Sequence, residues 1–471
     1  MNERIHKRKS LRPKRVEKYG LQLILGLILV ELVSLGYMYY QGAGFLFLQT
    51  LIVLIPVSAV SCFLVLRYQA NRYLVIVTFL LLNFGFVAQY FTSDDPSAII
   101  SGTLRKYLIA FAAAYLAAIL FYQLSWLLSL DAMIPLITLV QFVLCTALFV
   151  FGQAVGDTKG QGAVLGLSIG GIYLQPMELV KVMYVFVVVS LLCKEERKER
   201  RVLGLPRDIY LILYTILFAC FALILSEMGT FLIMLLIGGG MMLTYSRNRK
   251  GVLLAGMAAG AAMSLGWAAC VLLKDHIGVC KKVYLRIIYF LKPELDPLGD
   301  GYQALQARKA LTIGGILGPD TERYLVGVPR ANDDMIFANL VQRAGVIVGI
   351  LMIFAVFAIF YQGVQIGQKC RDSYYSGLAV GIALLFAAEA LVHIGYNVGL
   401  LPITGIPLYL VSEGVTSMTT GLAMIAVLLV ISTEALPERK SRNEETYERK
   451  CKKMVRNLLP GRRRIQRKER K

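Results

Sequence analysis

An all-α polytopic membrane protein with about twelve transmembrane helices is the fold class that this sequence predicts. Three observations predict it. Hydrophobic residues make up 57% of the 471-residue chain and charged residues only 17%, against about 25% charged in a soluble domain. Apolar runs of 18 or more residues recur along most of the length, and each is long enough to cross a bilayer as a helix. The basic residues behind the net charge of +20 gather in short loops and at both termini, which is the pattern of topology signals. That distribution leaves nucleic acid out as a partner and makes the membrane one.

Hydropathy places the spans at roughly 20–40, 44–66, 73–91, 107–128, 132–151, 174–193, 209–226, 229–245, 252–273, 336–361, 376–397 and 416–433. Positive charge then sets the orientation. The N-terminal arm, Arg67–Arg72, KEERKERR (194–201), SRNRK (246–250), Lys369–Arg371 and the C-terminal tail fall on one side. An even number of spans makes both termini cytoplasmic and puts 92–106, 152–173, 274–335 and 398–415 outside. Arg105 and Lys106 then lie on the outer side, against the rule.

The basic start, Arg4 to Lys18, leads into a span too long for the core of a cleavable signal peptide, and none is expected. The cysteines lie mostly in apolar runs (Cys62, Cys145, Cys193, Cys220), where they read as small hydrophobes. Cys270 and Cys280 form the one pair near an outer surface, a candidate disulfide whose geometry sequence does not fix. His6, His276 and His393 show no metal-ligand spacing. The charged tail, 434–471, ending GRRRIQRKERK, reads as disordered or loosely held by anionic headgroups.

The outer loop 274–335 is too long for a mere connector. Within it, GYQALQARKAL (301–311) has helical spacing and Gly314–Gly315 closes it. Such a helix could lie against the membrane face. Arg286, Lys292, Arg308, Lys309, Arg323 and Arg330 stand beside Glu294, Asp296, Asp300, Asp333 and Asp334. Composition alone favours a solvated loop with incidental charges. The same side chains also suit a phosphoryl ligand and an attacking hydroxyl: cations hold a diphosphate, and a carboxylate takes a proton. Asp333 and Asp334 stand at the mouth of an apolar helix, where a carboxylate is costly to desolvate.

Buried charge gives further candidates. Glu178 and Lys181 are three apart on one helix and can pair, either as a structural ion pair or facing a cavity. Glu31 and Glu389 stand isolated in apolar runs, Glu31 as a helix-contact or interfacial residue. Glu227 sits in SEMGT (226–230), a turn between two spans. GLLPITGIPLYLVSEG (399–414) cannot continue a helix and is too apolar for an exposed loop. It reads as a re-entrant turn packed in protein, its backbone satisfied by Asn397, Thr404, Ser412 and Glu413.

Five ordered motifs carry a family resemblance. From about residue 73 to 433 the chain resembles the SEDS proteins (shape, elongation, division and sporulation), the family of RodA, FtsW and SpoVE. QPMELVK (175–181) looks like the family's QPSE-x-x-K, and SEMGT like its PDLGT. Arg286, Pro293, Asp296, Pro297, Gly299, Gly301, Tyr302 and Gln306 match R-x6-P-x2-DP-x-G-x-GY-x3-Q. DMIFA (334–338) resembles DFIFA, and NVGLLPITGIPL (397–408) is close to a late-span motif. The chain departs in four places: GQGAVLGLSIGG (160–171) lacks the usual Arg-Trp pair, Gln342–Arg343 replaces Glu-Glu, Glu227 replaces Asp, and SEGV (412–415) replaces SYGG.

The resemblance implies residues 1–19 as a basic cytoplasmic arm, 20–72 as two extra N-terminal helices, 73–433 as the SEDS-like core of ten helices with extracellular loop 274–335, and 434–471 as a basic cytoplasmic tail. It implies a bacterial plasma-membrane glycosyltransferase that polymerises undecaprenyl-diphosphate-linked lipid II into glycan strands beside a class B penicillin-binding protein. The family's catalytic aspartate carries over to Asp334, with Asp333 left as a solvated loop acid. Arg286, Glu178, Lys181, Asp296, Tyr302, Gln306 and Lys309 become substrate-binding candidates. A divalent cation is a candidate cofactor, because the leaving diphosphate needs positive charge from side chains or a metal. A non-catalytic scaffold regulating the penicillin-binding protein and a precursor transporter are the rival functions, and both should tolerate loss of the Asp334 carboxylate.

Overall fold

The computed structural model describes residues 12–40, 48–90, 92, 96–128, 130–155, 163–169, 172–193, 202–205, 207–225, 227–246, 249–299, 301–319 and 325–433. Outside these lie most of the N-terminal arm, KEERKERR (194–201), part of SRNRK, Ser226, Asp300, Arg323 and the tail 434–471. The helices are α1 (Arg12–Tyr40), α2 (Leu48–Tyr68), α3 (Arg72–Tyr90), α4 (Pro96–Leu128), α5 (Met133–Phe151), α6 (Pro176–Leu192) and α7 (Arg207–Ile224). They continue as α8 (Met228–Tyr245), α9 (Arg249–Leu273), α10 (Gly278–Leu291), α11 (Tyr302–Ile313), α12 (Ile336–Lys369), α13 (Ser373–Asn397) and α14 (Val415–Ser432). A helix stands at each of the predicted spans. Among the described residues seven helical segments are long and apolar enough to cross a membrane, in α3, α4, α5, α8, α12, α13 and α14. Shorter apolar stretches lie in α1, α2, α7 and α9. The protein is a multi-pass, mainly helical membrane protein.

Two expected loops are ordered differently. Residues 96–106 are not a connector: α4 runs back to Pro96, a residue whose fixed φ and missing N–H suit the first helical position. The segment 152–173 contributes a small antiparallel sheet, order β1 (Gln153–Val155), β2 (Ala163–Ile169), β3 (Ile172–Leu174). The register pairs Val155 with Ala163 and Leu167 with Leu174. AVLGLSI and IYL carry β-branched and aromatic residues that favour a pleated ladder, and pairing satisfies their backbone groups.

α13 is the centre of the bundle, in contact with α6, α8, α12 and α14. Small residues allow this. A Cβ built on Gly381 would stand 2.8 Å from the Val185 side chain, so α6 packs directly on the α13 backbone. α1 lies along α3, where Asn83 Nδ2 donates to Glu31 Oε1 at 3.3 Å. Glu31 is therefore a helix-contact residue, as expected.

The loop before α12 includes the two predicted helical features. α11 covers GYQALQARKAL apart from Gly301, and Gly314–Gly315 ends it, Gly315 at φ +53°. α10 adds a helix at 278–291 whose spacing the sequence had not separated from the rest of the loop. The segment after α11 then inserts into α12. The Gly345 backbone is non-helical (φ 85°, ψ 168°), and the amides of Val346 and Ile347 bond the carbonyls of Gly315 (3.0 Å) and Ile316 (3.3 Å). α12 is thus kinked by an inserted loop rather than by proline. A Cβ at Gly345 would lie 2.2 Å from Ile316 O. Gly345→Ala should therefore destabilise the protein by roughly 1–3 kcal/mol from backbone strain, with the clash adding to it. Thermal unfolding of the detergent-solubilised protein measures this, and an unchanged melting temperature would show that the kink does not depend on glycine.

Candidate active site

The chain entering α12 makes a tight turn at 330–335. Arg330 O accepts the amides of Asp333 and Met335, both at 3.1 Å, and Arg330 itself is left-handed at φ +52°. The turn brings both aspartates under one guanidinium. One Arg330 terminal nitrogen, Nη1, lies 2.7 Å from Asp334 Oδ2, and Nη2 donates to Asp333 Oδ2 at 3.1 Å. Asp334 is 3% exposed, and its Oδ1 is buried with no hydrogen-bond partner. Burial, reinforced by the Asp333 charge and opposed by Arg330, pushes the Asp334 carboxyl up to about 7. Asp333 is not the solvated acid expected: its side chain is 26% exposed, and its carbonyl accepts from the Ser412 hydroxyl at 2.9 Å. Burial raises its carboxyl too, against the lowering effect of Arg330.

The segment 398–414 closes over this turn. It is the packed re-entrant turn the sequence predicts, with Ile406, Leu408, Tyr409, Leu410 and Val411 all buried. Its backbone partners are only partly the expected ones. Ser412 Oγ accepts the Leu408 amide at 2.8 Å. Glu413 contributes its amide to Asn332 O at 2.9 Å while its side chain pairs with Lys106. Asn397 instead grips the turn, donating to Asp334 O (3.0 Å) and accepting from the Ala338 amide (3.1 Å). Thr404 Oγ1 has no partner among the described residues. His393 and Tyr396, which the sequence did not single out for this role, take Ile406 O: His393 Nδ1 lies 2.7 Å away and the Tyr396 hydroxyl 2.8 Å. A carbonyl only accepts, so His393 carries its proton on Nδ1. The Tyr396 hydroxyl is also 2.7 Å from Asp334 O. Gly405, left-handed at φ +67°, stands beside the carboxylate, where a built Cβ would lie 3.6 Å from Asp334 Oδ2.

Below the turn lies a closed ionic network. Lys181 Nζ donates to Glu178 Oε1 at 2.9 Å and also pairs with Glu389, and the Tyr409 hydroxyl donates to Glu178 Oε2 at 2.8 Å. The expected Glu178–Lys181 pair is present, but it lines no open surface: the side chains are 5% and 0% exposed. Glu389, isolated in sequence, is the second partner, because α13 brings it 208 residues across to α6. Glu227, at the start of α8, is buried, accepts from Thr230 Oγ1 at 3.0 Å, and bears electrostatically on Lys181, Arg286 and Asp334. It links the two charged groups.

The remaining candidates sit in the loop. Arg286 is half-buried on α10 with its charge felt at Glu227. The Asp296 carboxylate packs against Gly299 in the turn that starts α11, and Asp296 O accepts the Gly301 amide at 3.0 Å, so its first task is local. Tyr302 and Lys309 are exposed on α11 and Gln306 is half-buried. Gln342 clasps Val326, donating to its carbonyl at 3.1 Å. Lys106, which the charge rule leaves as an exception, has its partner in Glu413. Cys270 and Cys280 are free thiols that face one another.

The chain matches the family profile of FtsW, RodA and SpoVE, described as "Cell cycle protein", over residues 71–436, and it belongs to that family. It is similar to Stage V sporulation protein E of Bacillus subtilis, 27% identical over 76% of this chain and 96% of that protein. It is also similar to the probable peptidoglycan glycosyltransferase FtsW of Mycobacterium tuberculosis, 32% identical over 30% of this chain and 28% of that protein. The aligned stretch thus takes in less than a third of the mycobacterial relative. Two solved structures share the fold. One, titled as the structural coordination of polymerization and crosslinking by a peptidoglycan synthase complex, has a TM-score of 0.60 at 19% identity over 77% of this chain and 97% of that one. The other is the rod shape determining protein RodA of Thermus thermophilus, with a TM-score of 0.51 at 18% identity over 77% and 96%.

Removing Lys181 would leave two carboxylates enclosed without their cation. Lys181→Met should destabilise the protein by about 3–5 kcal/mol, read as a lowered melting temperature in detergent. Full stability would show that the network is dispensable to the fold.

Proposed function

We propose that the protein is a peptidoglycan glycosyltransferase that polymerises lipid II, with Asp334 as general base. The observation that carries this is a buried carboxylate with one oxygen anchored and the other unpartnered, beside a glycine at the mouth of α12. Membership in a family that includes named glycosyltransferases supports it. Asp334 Oδ1 takes the proton of the acceptor sugar hydroxyl. The oxygen attacks the donor anomeric carbon as the bond to the lipid diphosphate breaks, and the electron pair leaves with the phosphate. One displacement inverts the anomeric centre, and a single base suffices because the leaving group is good.

Arg286, Arg308 and Lys309 are the cations placed to receive the diphosphate. Arg308 is exposed, with Glu294 3.6 Å away as its loose partner. Among the described residues no three carboxylate, histidine or cysteine side chains gather to hold a metal ion; a divalent cation would then be shared between one or two carboxylates and the substrate's phosphate oxygens. Glu178 and Lys181 act from inside, by fixing α6, α13 and Tyr409 beneath the site. Exposed Tyr302 and half-buried Gln306 present one face of α11 to the substrate, and Asp296 shapes the turn that carries them. The solved complex of matching fold supports a partner of the crosslinking class, a penicillin-binding protein. Twelve crossings with both termini cytoplasmic put the loop 274–335 outside, where a lipid-linked precursor is used.

Asp334→Asn should lower polymerisation of purified lipid II by about 10²–10⁴ while expression and melting temperature hold. Equal activity would end the enzyme assignment and promote the scaffold.

A base with a carboxyl near 7 is protonated below that pH. The rate at limiting substrate should therefore fall about tenfold per unit as pH drops below 7 and level off above it. A profile flat from pH 5 to 8, by contrast, would mean that Asp334 is not the titrating base.

Leu298 is 91% exposed in the loop. In a background without the native cysteines, Leu298→Cys should react with a membrane-impermeant maleimide added to whole cells or spheroplasts. Labelling only after the membrane is opened would reverse the topology.

A further inference from the structure

Arg330 makes a division of contacts that neither aspartate requires of it. An arginine fork usually meets one carboxylate with two nitrogens. Here each terminal nitrogen takes a different carboxylate, Nη1 on Asp334 and Nη2 on Asp333, and both reach an Oδ2. Arg330 makes these contacts from a left-handed backbone at φ +52°, a conformation that costs a non-glycine residue energy and persists where its surroundings determine it. The surroundings do so: the Arg330 carbonyl holds the amides of Asp333 and Met335, and Ser412 and Asn397 hold the carbonyls of Asp333 and Asp334. Both carboxylates are thus fixed from the backbone side and from the charged side. The Oδ1 atoms of Asp333 and Asp334 are both left buried with no partner, and Gly405, which carries no side chain, stands beside the Asp334 carboxylate, where a built Cβ would lie 3.6 Å from Oδ2 and 4.0 Å from Oδ1.

We propose that Arg330 is the positioning residue of this site, assigning the two oxygens of Asp334 to different tasks. Oδ2 is the anchored oxygen and Oδ1 the one that receives the acceptor's proton. Asp333 is the counterweight that keeps the guanidinium from closing on both oxygens of Asp334. The proposal rests on Asp334 being the base. Lysine cannot replace arginine here, because a single ammonium is a point charge without a planar fork. The groups that face the two aspartates are Arg330 itself, Glu227 from the start of α8, Tyr396 from α13, Glu178 from α6, and Glu413, with its partner Lys106, from the 398–414 segment and α4. Arg330 is the cation whose pairing with Asp334 sets the side chain's direction.

The test is the pH dependence of lipid II polymerisation by the full chain, with kcat and KM separated, alongside melting temperature. Arg330→Gln should cut kcat/KM at pH 7 by roughly tenfold or more and move the acid limb to higher pH, because the charge that favours the ionised base is gone. Asp333→Asn should move that limb to lower pH. The double variant Arg330→Gln/Asp333→Asn should return it toward wild type while kcat stays low, since charge balance is restored and orientation is not. Arg330→Lys should keep the limb near wild type and lose kcat with KM unchanged. It also carries the test if Arg330→Gln does not fold. An Arg330→Lys enzyme with wild-type kcat, or a folded Arg330→Gln enzyme with an unmoved limb, would overturn the proposal. Asp334→Asn separates the two levels. If it is active, the general-base assignment fails; if it is inactive while the Arg330 variants behave as wild type, only the positioning role fails.

Discussion

Lys181 sits with no exposed surface between Glu178 on its own helix and Glu389 on α13, and the rest of the site is built on that contact. A lysine inside a membrane bundle is tolerable only with its charge matched. Matching it requires α6 and α13 to be in register and requires Tyr409 to bond Glu178 from above. Tyr409 belongs to the re-entrant segment, whose Gly405 stands beside the Asp334 carboxylate and whose Ile406 carbonyl shares the Tyr396 hydroxyl with Asp334 O. The ionic network thereby fixes the floor against which Asp334 is held. Such networks contribute little net stability compared with a well-packed apolar core, yet they are costly to break on one side. Here the network specifies which helix faces meet, and the catalytic assignment inherits that specification.

Two levels of rigidity meet at Asp334. Its main chain is held by neutral groups, the Tyr396 hydroxyl and the Asn397 amide. Its side chain is held by charge, through Arg330. The first fixes where the residue is, and the second which way it points. Burial raises the carboxyl while the guanidinium lowers it, and the balance leaves the group near 7, where a carboxylate is basic enough to take a proton and is about half ionised at neutral pH.

Periodicity made the helices legible, and five ordered motifs made the family legible, because apolar length and motif order are local properties of a chain. Asp334 and the Glu178–Lys181 pair were visible for the same reason, each within a few residues of its signal. The partners that lie far away in sequence were not. Glu389 meets Lys181 across 208 residues, and its helix gives it the same apolar neighbours a stray carboxylate would have. His393 and Tyr396 face Ile406 only because the re-entrant turn folds back over α13. Arg330 was read as one of several loop cations, since nothing local distinguishes an arginine that bridges two aspartates from one in solvent. The sheet at 153–174 was overlooked because its strands are short and flanked by spans of far stronger apolar signal.

The pairing of Lys106 with Glu413 has a consequence for how the chain is made. The two residues are 307 positions apart, so when the segment bearing Lys106 is inserted its partner has not yet been synthesised. On the proposed topology this cation is exported unneutralised, against the usual bias. The orientation of the early helices must then come from the denser basic clusters facing the cytoplasm, which outnumber it. Once Glu413 arrives, the ion pair neutralises the exception and ties α4 to the 398–414 segment. A charge that opposes correct insertion during synthesis becomes a latch that records its completion.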